Sequence, residues 1–331
     1  MSISSPPLSG RSRNWRTSSL GFAALLAGTA LADVGVARAQ LARGDTLIQL
    51  GRIAAAESLY YETVRAHPRD PTARLTLGWY LASRGRLRIA ATLMEEARFF
   101  GSDPALVAEQ LIPVYTRLGE YNALSDLPSS RQAPAERARA SWLAVNLPFT
   151  AGPDSADVPW RVGDNRTVGK VALVIGRDTV IARIDPTAEN LVLDTVWARR
   201  KEVRRFASRG AEDARHVAGV TSQVMLGAFT LNNVPTSFAV MKEAGTATIG
   251  LDLLGRYAPT FDSTNAKMTL RKNGVYDDPR AEHVPTLTYR TGIWLVGPTR
   301  TLPVGSPEAA RLLGNRRWTL DARRGEIAAK P

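Results

Sequence analysis

The pattern of apolar and polar positions changes near the middle of the chain. The first half repeats similar phrases at a long interval, whereas short runs rich in Val, Ile, Leu and Thr begin at Val168. The stretch KVALVIGRDTVIARID alternates around a turn at residues 176–178, which predicts a β-hairpin. SQVMLGAFTLNNVPTSFAVM predicts two further strands that turn at Asn232-Asn233. The pattern therefore predicts a helical first part and an all-β second part.

The similar phrases in the first half of the chain repeat at a regular interval. Gly51, Gly85 and Gly119 are each 34 residues apart, and Ala56 and Ala90 keep the same spacing. This period resembles the tetratricopeptide repeat, in which the glycine makes the turn between two helices and the alanine allows close packing. We expect five to six helices between residues 42 and 124, with the glycines in turns. Such a stack either holds a peptide or protein partner in its groove or braces the second half of the chain.

The N-terminus has the three parts of an export signal. A basic region with Arg11, Arg13 and Arg16 precedes the apolar run LGFAALLAGTALA, and Ala-Arg-Ala at residues 37–39 fits a cleavage site. An uncleaved anchor or a flexible tail is the alternative. The sequence predicts a bacterial protein exported to the periplasm or beyond. The expected parts are a signal peptide (1–39), helical repeats (40–126), a linker (127–160), a β lobe (161–275) and a C-terminal extension (276–331).

Composition excludes several kinds of site. The 331 residues include no cysteine, and His67, His216 and His283 are far apart, so we expect no disulfide, no metal and no cofactor. The formal net charge of +12 favours anionic neighbours such as an envelope surface. The basic run at residues 199–205 has no aromatic interleaving of the kind that binds nucleic acid, so no nucleic-acid partner is expected.

Three segments in order resemble the retropepsin-like aspartic peptidases. They are LVLDT, VMLGAFTLNNVPTSFAV and TIGLDLLGRYAPTFDSTNAKMTL, and the resemblance covers residues 168–272. It implies a multidomain α + β protein, in which tetratricopeptide-like helical hairpins precede an all-β retropepsin-like acid-protease barrel lobe. In this family an apolar-apolar-Gly segment, here Thr248–Gly250, passes beside the catalytic loop. The implied substrate is a protein or peptide.

The resemblance also implies a catalytic site at the end of LVLDT. Asp194 would be the catalytic carboxylate, and Thr195 would hydrogen-bond to the second catalytic loop. Two aspartates share a proton in these enzymes, one activating water and the other polarising the scissile carbonyl. Because the resemblance assigns one catalytic Asp-Thr to the chain, an active enzyme would be a homodimer.

Several departures favour the alternative, a non-catalytic protein-binding scaffold. Val196 replaces the family's glycine and Trp197 replaces a small residue, while the expected flap region, residues 204–223, looks helical or irregular. The tail LLGNRRWTLDARRGEIAAK echoes LLGRYAPTFDSTNAKMTLRK, with Asp321 at the place of Asp262. The tail is either a remnant of a second lobe or a short extension. A remnant in the place of a second lobe would block homodimerisation.

Overall fold

The structure is a computed structural model. It describes residues 37–127, 134–162, 169–186, 188, 190–199, 203–207, 217–241, 246–289, 292–297, 300–304, 306–313 and 317–330. The expected signal peptide lies outside the described residues except for its last three positions. No described helix is long and apolar enough to cross a membrane.

Helices fill the first part of the described chain. They are α1 (37–49), α2 (Ile53–Ala66), α3 (Pro71–Ser83), α4 (Leu87–Phe99), α5 (Pro104–Leu118), α6 (Tyr121–Ser125) and α7 (Pro134–Val145). Asp70 and Asp103 cap α3 and α5, because each side chain accepts backbone N–H bonds from the first turn and a proline follows at once.

Each repeated glycine lies in a turn between two helices. Gly51, Gly85 and Gly119 have φ angles of 73°, 77° and 73°, a left-handed conformation that costs glycine little. They join α1 to α2, α3 to α4 and α5 to α6. Ala56 and Ala90 are completely buried between helices, as the repeat predicts. The expected helices and turns are confirmed, whereas their membership of the tetratricopeptide family stays a prediction.

The second part is a continuous antiparallel and mixed sheet with short helices at its ends. Its strands are β1 (Phe149–Ala151), β2 (Ser155–Val162), β3 (Gly169–Ile175), β4 (Asp178–Asp185), β5 (Leu191–Asp194), β6 (Val203–Ala207), β7 (Val217–Leu226), β8 (Phe229–Ala239), β9 (Thr246–Gly250), β10 (Thr260–Asp262), β11 (Lys267–Arg271), β12 (Glu282–Tyr289), β13 (Gly292–Val296), β14 (Thr301–Pro303), β15 (Arg317–Asp321) and β16 (Glu326–Lys330). The short helices are α8 (Thr195–Arg199), α9 (Leu251–Leu254), a 3₁₀ turn (Gly255–Tyr257) and α10 (Pro307–Leu313).

Six of these strands close into a barrel. Their order is β3-β4-β9-β5-β8-β7, and β7 pairs back onto β3 where Met225 lies opposite Val174. The barrel encloses fully buried Leu173, Ile184 and Phe229. The α + β class and the β barrel predicted from the sequence are thereby confirmed.

Two local predictions in the barrel are wrong. The turn between β7 and β8 falls at Gly227-Ala228, where Gly227 has a φ of 59°, and not at Asn232-Asn233, which lie inside β8. The region expected to be helical or irregular contains β6 and β7, which pair antiparallel from Val203 opposite Thr221 to Ala207 opposite Val217. In the second half of β7, Val224 and Leu226 are buried whereas Gln223 and Met225 are exposed, an alternation that favours a strand over a helix.

A second group of strands joins the barrel to the C-terminal residues. Its order is β2-β11-β10-β15-β16-β12, and β10 and β15 meet antiparallel at its centre. The Thr260 and Thr319 hydroxyls lie 2.7 Å apart, and the Phe261 and Trp318 rings stack with centroids 4.3 Å apart. The β10–β11 and β15–β16 hairpins therefore meet as two similar units.

The helices pack directly on this sheet. One guanidinium nitrogen of Arg84 donates 2.8 Å hydrogen bonds to the carbonyl oxygens of Thr286 and Gly325. A Cβ atom at Gly85 would collide with the Ala322 carbonyl oxygen, and one at Gly51 with a backbone oxygen of the β13–β14 turn. Close approach of main chain to main chain therefore depends on the turn glycines.

Candidate functional site

Strand β9 lies between β4 and β5, which are connected by one loop. It pairs parallel with β4, where Gly250 lies opposite Asp185, and antiparallel with β5, where Ile249 lies opposite Leu191. Between β4 and β5 the described residues are Pro186, Ala188 and Asn190, which lie beside the end of β9. The Gly250 N–H donates a 2.9 Å bond to the Asn190 carbonyl oxygen. This segment, which we call the crossing loop, is the one beside which the apolar-apolar-Gly segment passes.

Gly250 is required at this crossing for steric reasons. A Cβ atom there would collide with the carbonyl oxygen of Ala188 and approach within 3.0 Å of the Asn190 nitrogen. Any side chain would push the loop away from β9. Asp185 ends β4 opposite Gly250, so it is the strand-ending carboxylate nearest the crossing. It is half-buried, and Pro186 follows it.

Asp194, the carboxylate predicted to be catalytic, lies at the other end of β5. It ends that strand beside Ala239 of β8 and is 2% exposed. Its two oxygens accept backbone N–H bonds from Trp197, at 2.8 Å, and from Met241, at 3.1 Å. An aspartate that accepts an N–H from the first turn of the following helix acts as an N-cap. Asp194 therefore caps α8 and ties it to the end of β8.

Thr195 starts α8 and is buried. Its hydroxyl has no hydrogen-bond partner in the described part of the chain, so the expected bond to a second catalytic loop is not made there. Its carbonyl oxygen accepts a 3.4 Å bond from Arg205. The catalytic roles of Asp194 and Thr195 stay predictions, and the two residues lie in a helix cap rather than at the crossing.

The two departures from the family pattern next to Asp194 have a structural explanation. Val196 is helical and 52% exposed, and it is not among the described non-glycine residues with positive φ. The strain expected from a valine at a glycine position is therefore absent. Trp197 is half-buried and packs on the barrel core, so it does not crowd a cleft. Both residues suit a short helix.

Sequence reasoning missed the position of Asp185. The signal was present, because burial alternates along β4 up to Asp185 and proline then ends the strand. Asp185 and Asp194 both follow apolar strands. Only the pairing with β9 shows which of them lies at the crossing.

The C-terminal residues of this chain join the sheet at β10, one edge of which pairs with β15. From residue 283 to residue 307 the sequence contains no Asp or Glu. Within the described ranges no group of three or more His, Cys, Asp or Glu side chains forms a metal site.

Asp262 and Asp321, which hold corresponding turns of the central hairpins, are both buried. Asp321 accepts N–H bonds from Arg323 and Arg324, and burial raises the pKa of its carboxyl. Asp262 accepts an N–H bond at 3.0 Å from Asn265 in its own turn. Both carboxylates hold tight turns.

The crossing loop faces a cavity of about 1020 Å³ between the helices and the sheet. Pro186 and Ala188 line it from the loop, Trp79 from α3, and Leu287 and Trp294 from the β12–β13 hairpin. Residues of α1 and α5 complete the wall. Its size is at the upper end of the range of about 300–1,000 Å³ that is typical of ligand pockets.

The charged side chains of the cavity wall have partners. The Asp45 carboxylate accepts a 2.5 Å hydrogen bond from the Tyr60 hydroxyl. The Arg117 guanidinium donates a 3.2 Å bond to the Ala82 carbonyl oxygen. The remaining wall is apolar, amide or hydroxyl in character. Each of these two charged groups therefore has a hydrogen-bond partner within the chain.

Of the comparisons with known proteins, only the one with solved structures finds matches to this chain. No family model matches the chain, and no curated protein matches its sequence. Among the solved structures that match is a retropepsin-like aspartic protease from Rickettsia conorii, at 14% identity and a TM-score of 0.26. The match covers 37% of this chain and 91% of that protein.

Proposed function

We propose that this chain is an exported, non-catalytic relative of the aspartic peptidases that binds polypeptide. Its helices would be tetratricopeptide-type repeats. The observation that carries the proposal is the environment of Asp194, whose two carboxylate oxygens accept backbone N–H bonds inside the lobe. The Asp194 side chain is also buried, so neither oxygen is open to a substrate or to a water that it would activate.

Aspartic catalysis also needs two carboxylates that share a proton. Asp185 of β4 lies at the crossing, but from residue 283 to residue 307 the C-terminal part of the chain has no second acid that could share its proton. Pairing of β10 with β15 supports a monomer, because it removes this edge of β10 as a docking edge for a second copy. These features favour binding over hydrolysis.

The test is a cleavage assay on the purified chain. Reduced and alkylated casein is incubated with the protein from pH 3 to pH 7, and the fragments are identified by mass spectrometry. We expect no cleavage above that of a buffer control. Asp185→Asn and Asp194→Asn serve as matched controls. Cleavage that disappears in either variant would overturn the proposal and would identify that carboxylate as catalytic.

A further inference from the structure

Three cations lie side by side on the outer face of the sheet. Arg161 of β2 is opposite Lys170 of β3, and Lys170 is in turn opposite Arg183 of β4. Directly opposite residues of antiparallel strands point to the same side of the sheet, with Cβ atoms about 4.5–5.5 Å apart. All three residues are exposed, and we call them the cation row.

The cation row is not neutralised by the described part of the chain. None of its three members makes an ion pair with a described residue. Two acids lie nearby on the same face. Asp157 of β2 bonds to Lys267 and Thr269 of β11, and Asp185 is half-buried at the end of β4, opposite Gly250. Like charges directly opposite each other destabilise a sheet, so an anion bound at this face would offset their repulsion.

Next to the cation row the same face of the sheet is apolar. Ala172 and Ile181 form the neighbouring cross-strand pair of β3 and β4, and Val174 follows on β3 opposite Met225 of β7. The exposed fractions of Ile181 and Met225 are 48% and 44%. We call these four residues the apolar patch. Exposed Arg177 lies beyond it in the β3–β4 turn, so cations flank the patch on two sides. Contiguous exposed apolar residues mark interaction surfaces, whereas isolated ones do not.

Cations around exposed apolar side chains match the chemistry of an anionic lipid surface. Lys and Arg are attracted to the phosphate headgroups, while apolar side chains enter the boundary between headgroups and acyl chains. A soluble polyanion would meet the cation row but would gain nothing from the apolar patch. We propose that the outer face of β2, β3 and β4 docks the chain peripherally on an anionic phospholipid surface. The formal net charge of +12 acts in the same direction, and the proposal is independent of the polypeptide-binding function.

The experiment measures how the full chain partitions onto lipid vesicles, by co-sedimentation. Vesicles of phosphatidylglycerol and phosphatidylcholine in equal parts are compared with vesicles of phosphatidylcholine alone. Each Lys or Arg near an anionic surface contributes about a fivefold factor, so we expect at least about tenfold tighter binding to the anionic vesicles. Salt at about 1 M should remove most of this preference. Equal partition onto both kinds of vesicle would overturn the proposal.

Charge reversal locates the surface. Arg183→Glu changes two charges within the cation row and should weaken partition onto anionic vesicles about tenfold or more. Arg69→Glu is the matched control, because Arg69 is exposed in the turn between α2 and α3 and its replacement alters the net charge equally. Its partition should stay within about twofold of that of the unmodified chain. Every variant keeps the same N-terminus, so the basic and apolar residues there contribute equally to all of them. Equal losses in the two variants would overturn the location.

A variant at the centre of the cation row separates lost binding from lost fold. Lys170→Glu places an acid between Arg161 and Arg183, which turns two repelling cross-strand pairs into attracting ones. Its melting temperature should equal or exceed that of the unmodified chain, while its partition onto anionic vesicles falls about tenfold or more. A lower melting temperature would contradict the repulsion on which the proposal is built. Unchanged partition of this variant would overturn the cation row as the contact.

The apolar patch is tested by a pair of matched variants. Ile181→Ser should weaken partition onto anionic vesicles about fivefold, because it removes apolar groups that enter the lipid boundary. Ile89→Ser on α4 makes the same change at a residue that is 52% exposed, and it should leave partition within about twofold. Unchanged partition of Ile181→Ser would overturn the apolar contact. A chain that binds soluble polyphosphate but not anionic vesicles would overturn the lipid surface and identify a soluble polyanion as the partner.

Discussion

Replacing Asp194 measures how much of its role is structural. Asparagine keeps one accepting oxygen but turns an amide donor toward one of the two N–H groups that the carboxylate now accepts. A hydrogen bond to a charged group contributes about 1.5–3 kcal/mol, and loss of an N-cap costs about 0.5–2 kcal/mol. Because the helix can relax in part, we expect Asp194→Asn to lower the free energy of unfolding by roughly 1–2 kcal/mol. Alanine removes both acceptors, and its expected loss is about 2–4 kcal/mol.

The assay is equilibrium unfolding in urea, followed by far-ultraviolet circular dichroism. Asp154→Asn is the matched control, since Asp154 is exposed and its change should stay within about 0.5 kcal/mol. Equal stability of the unmodified chain, Asp194→Asn and Asp194→Ala would refute the capping role. A variant more stable than the unmodified chain would refute it more strongly, because removing a strained functional carboxylate often stabilises a protein.

Three further predictions concern backbone and pH. In urea unfolding, Gly85→Ala should destabilise the chain by roughly 1–3 kcal/mol more than Gly101→Ala. Both glycines have positive φ, but a Cβ atom at Gly85 would collide with the Ala322 carbonyl oxygen, whereas Gly101 has open space around it. Equal losses would contradict the close contact between Gly85 and the sheet. Val196→Gly should cost about 0.5 kcal/mol as a helix substitution and should produce no casein cleavage, so newly gained proteolysis would argue against the helix-cap geometry. The raised pKa of Asp321 means that its contribution to stability is full below the unfolded pKa of about 3.9 and is lost as pH rises through the folded pKa. The urea midpoint of the unmodified chain should therefore fall, relative to Asp321→Asn, as pH rises above about 3.9, and a constant difference would exclude this linkage.

The helical part was predictable because its signals are local. A glycine that must adopt a positive φ between two helices marks each turn by itself, and the spacing of Gly51, Gly85 and Gly119 repeats the signal three times. The turn between β7 and β8 shows the limit of such signals. Gly227 and Asn233 both adopt positive φ, but Gly227 makes the turn while Asn233 stays within the strand. The residue types alone do not show which of these two positions makes the turn.

The candidate site was less predictable because it depends on pairing between distant residues. Asp185 and Asp194 have similar sequence surroundings, and β9 distinguishes them only through its parallel register with β4. The cavity depends in addition on how the helices dock against the crossing loop and β12. No local pattern specifies that docking. Equivalent positions of the repeat, such as Asp45, Trp79 and Pro113, line the cavity from α1, α3 and α5.

The pairing of β10 with β15 has a consequence for how the protein acquires its fold. One edge of β10 exposes unpaired N–H and C=O groups until β15 has been synthesised, and such edges promote aggregation. The neighbouring β2 and β11 already pair across a long stretch of chain, which slows folding. A chain that stops before Arg317 would keep this edge open and would leave Phe261 without its stacked partner Trp318. Such truncated chains should associate through β10. In the full chain the β15–β16 hairpin covers this edge, so its pairing should prevent such self-association.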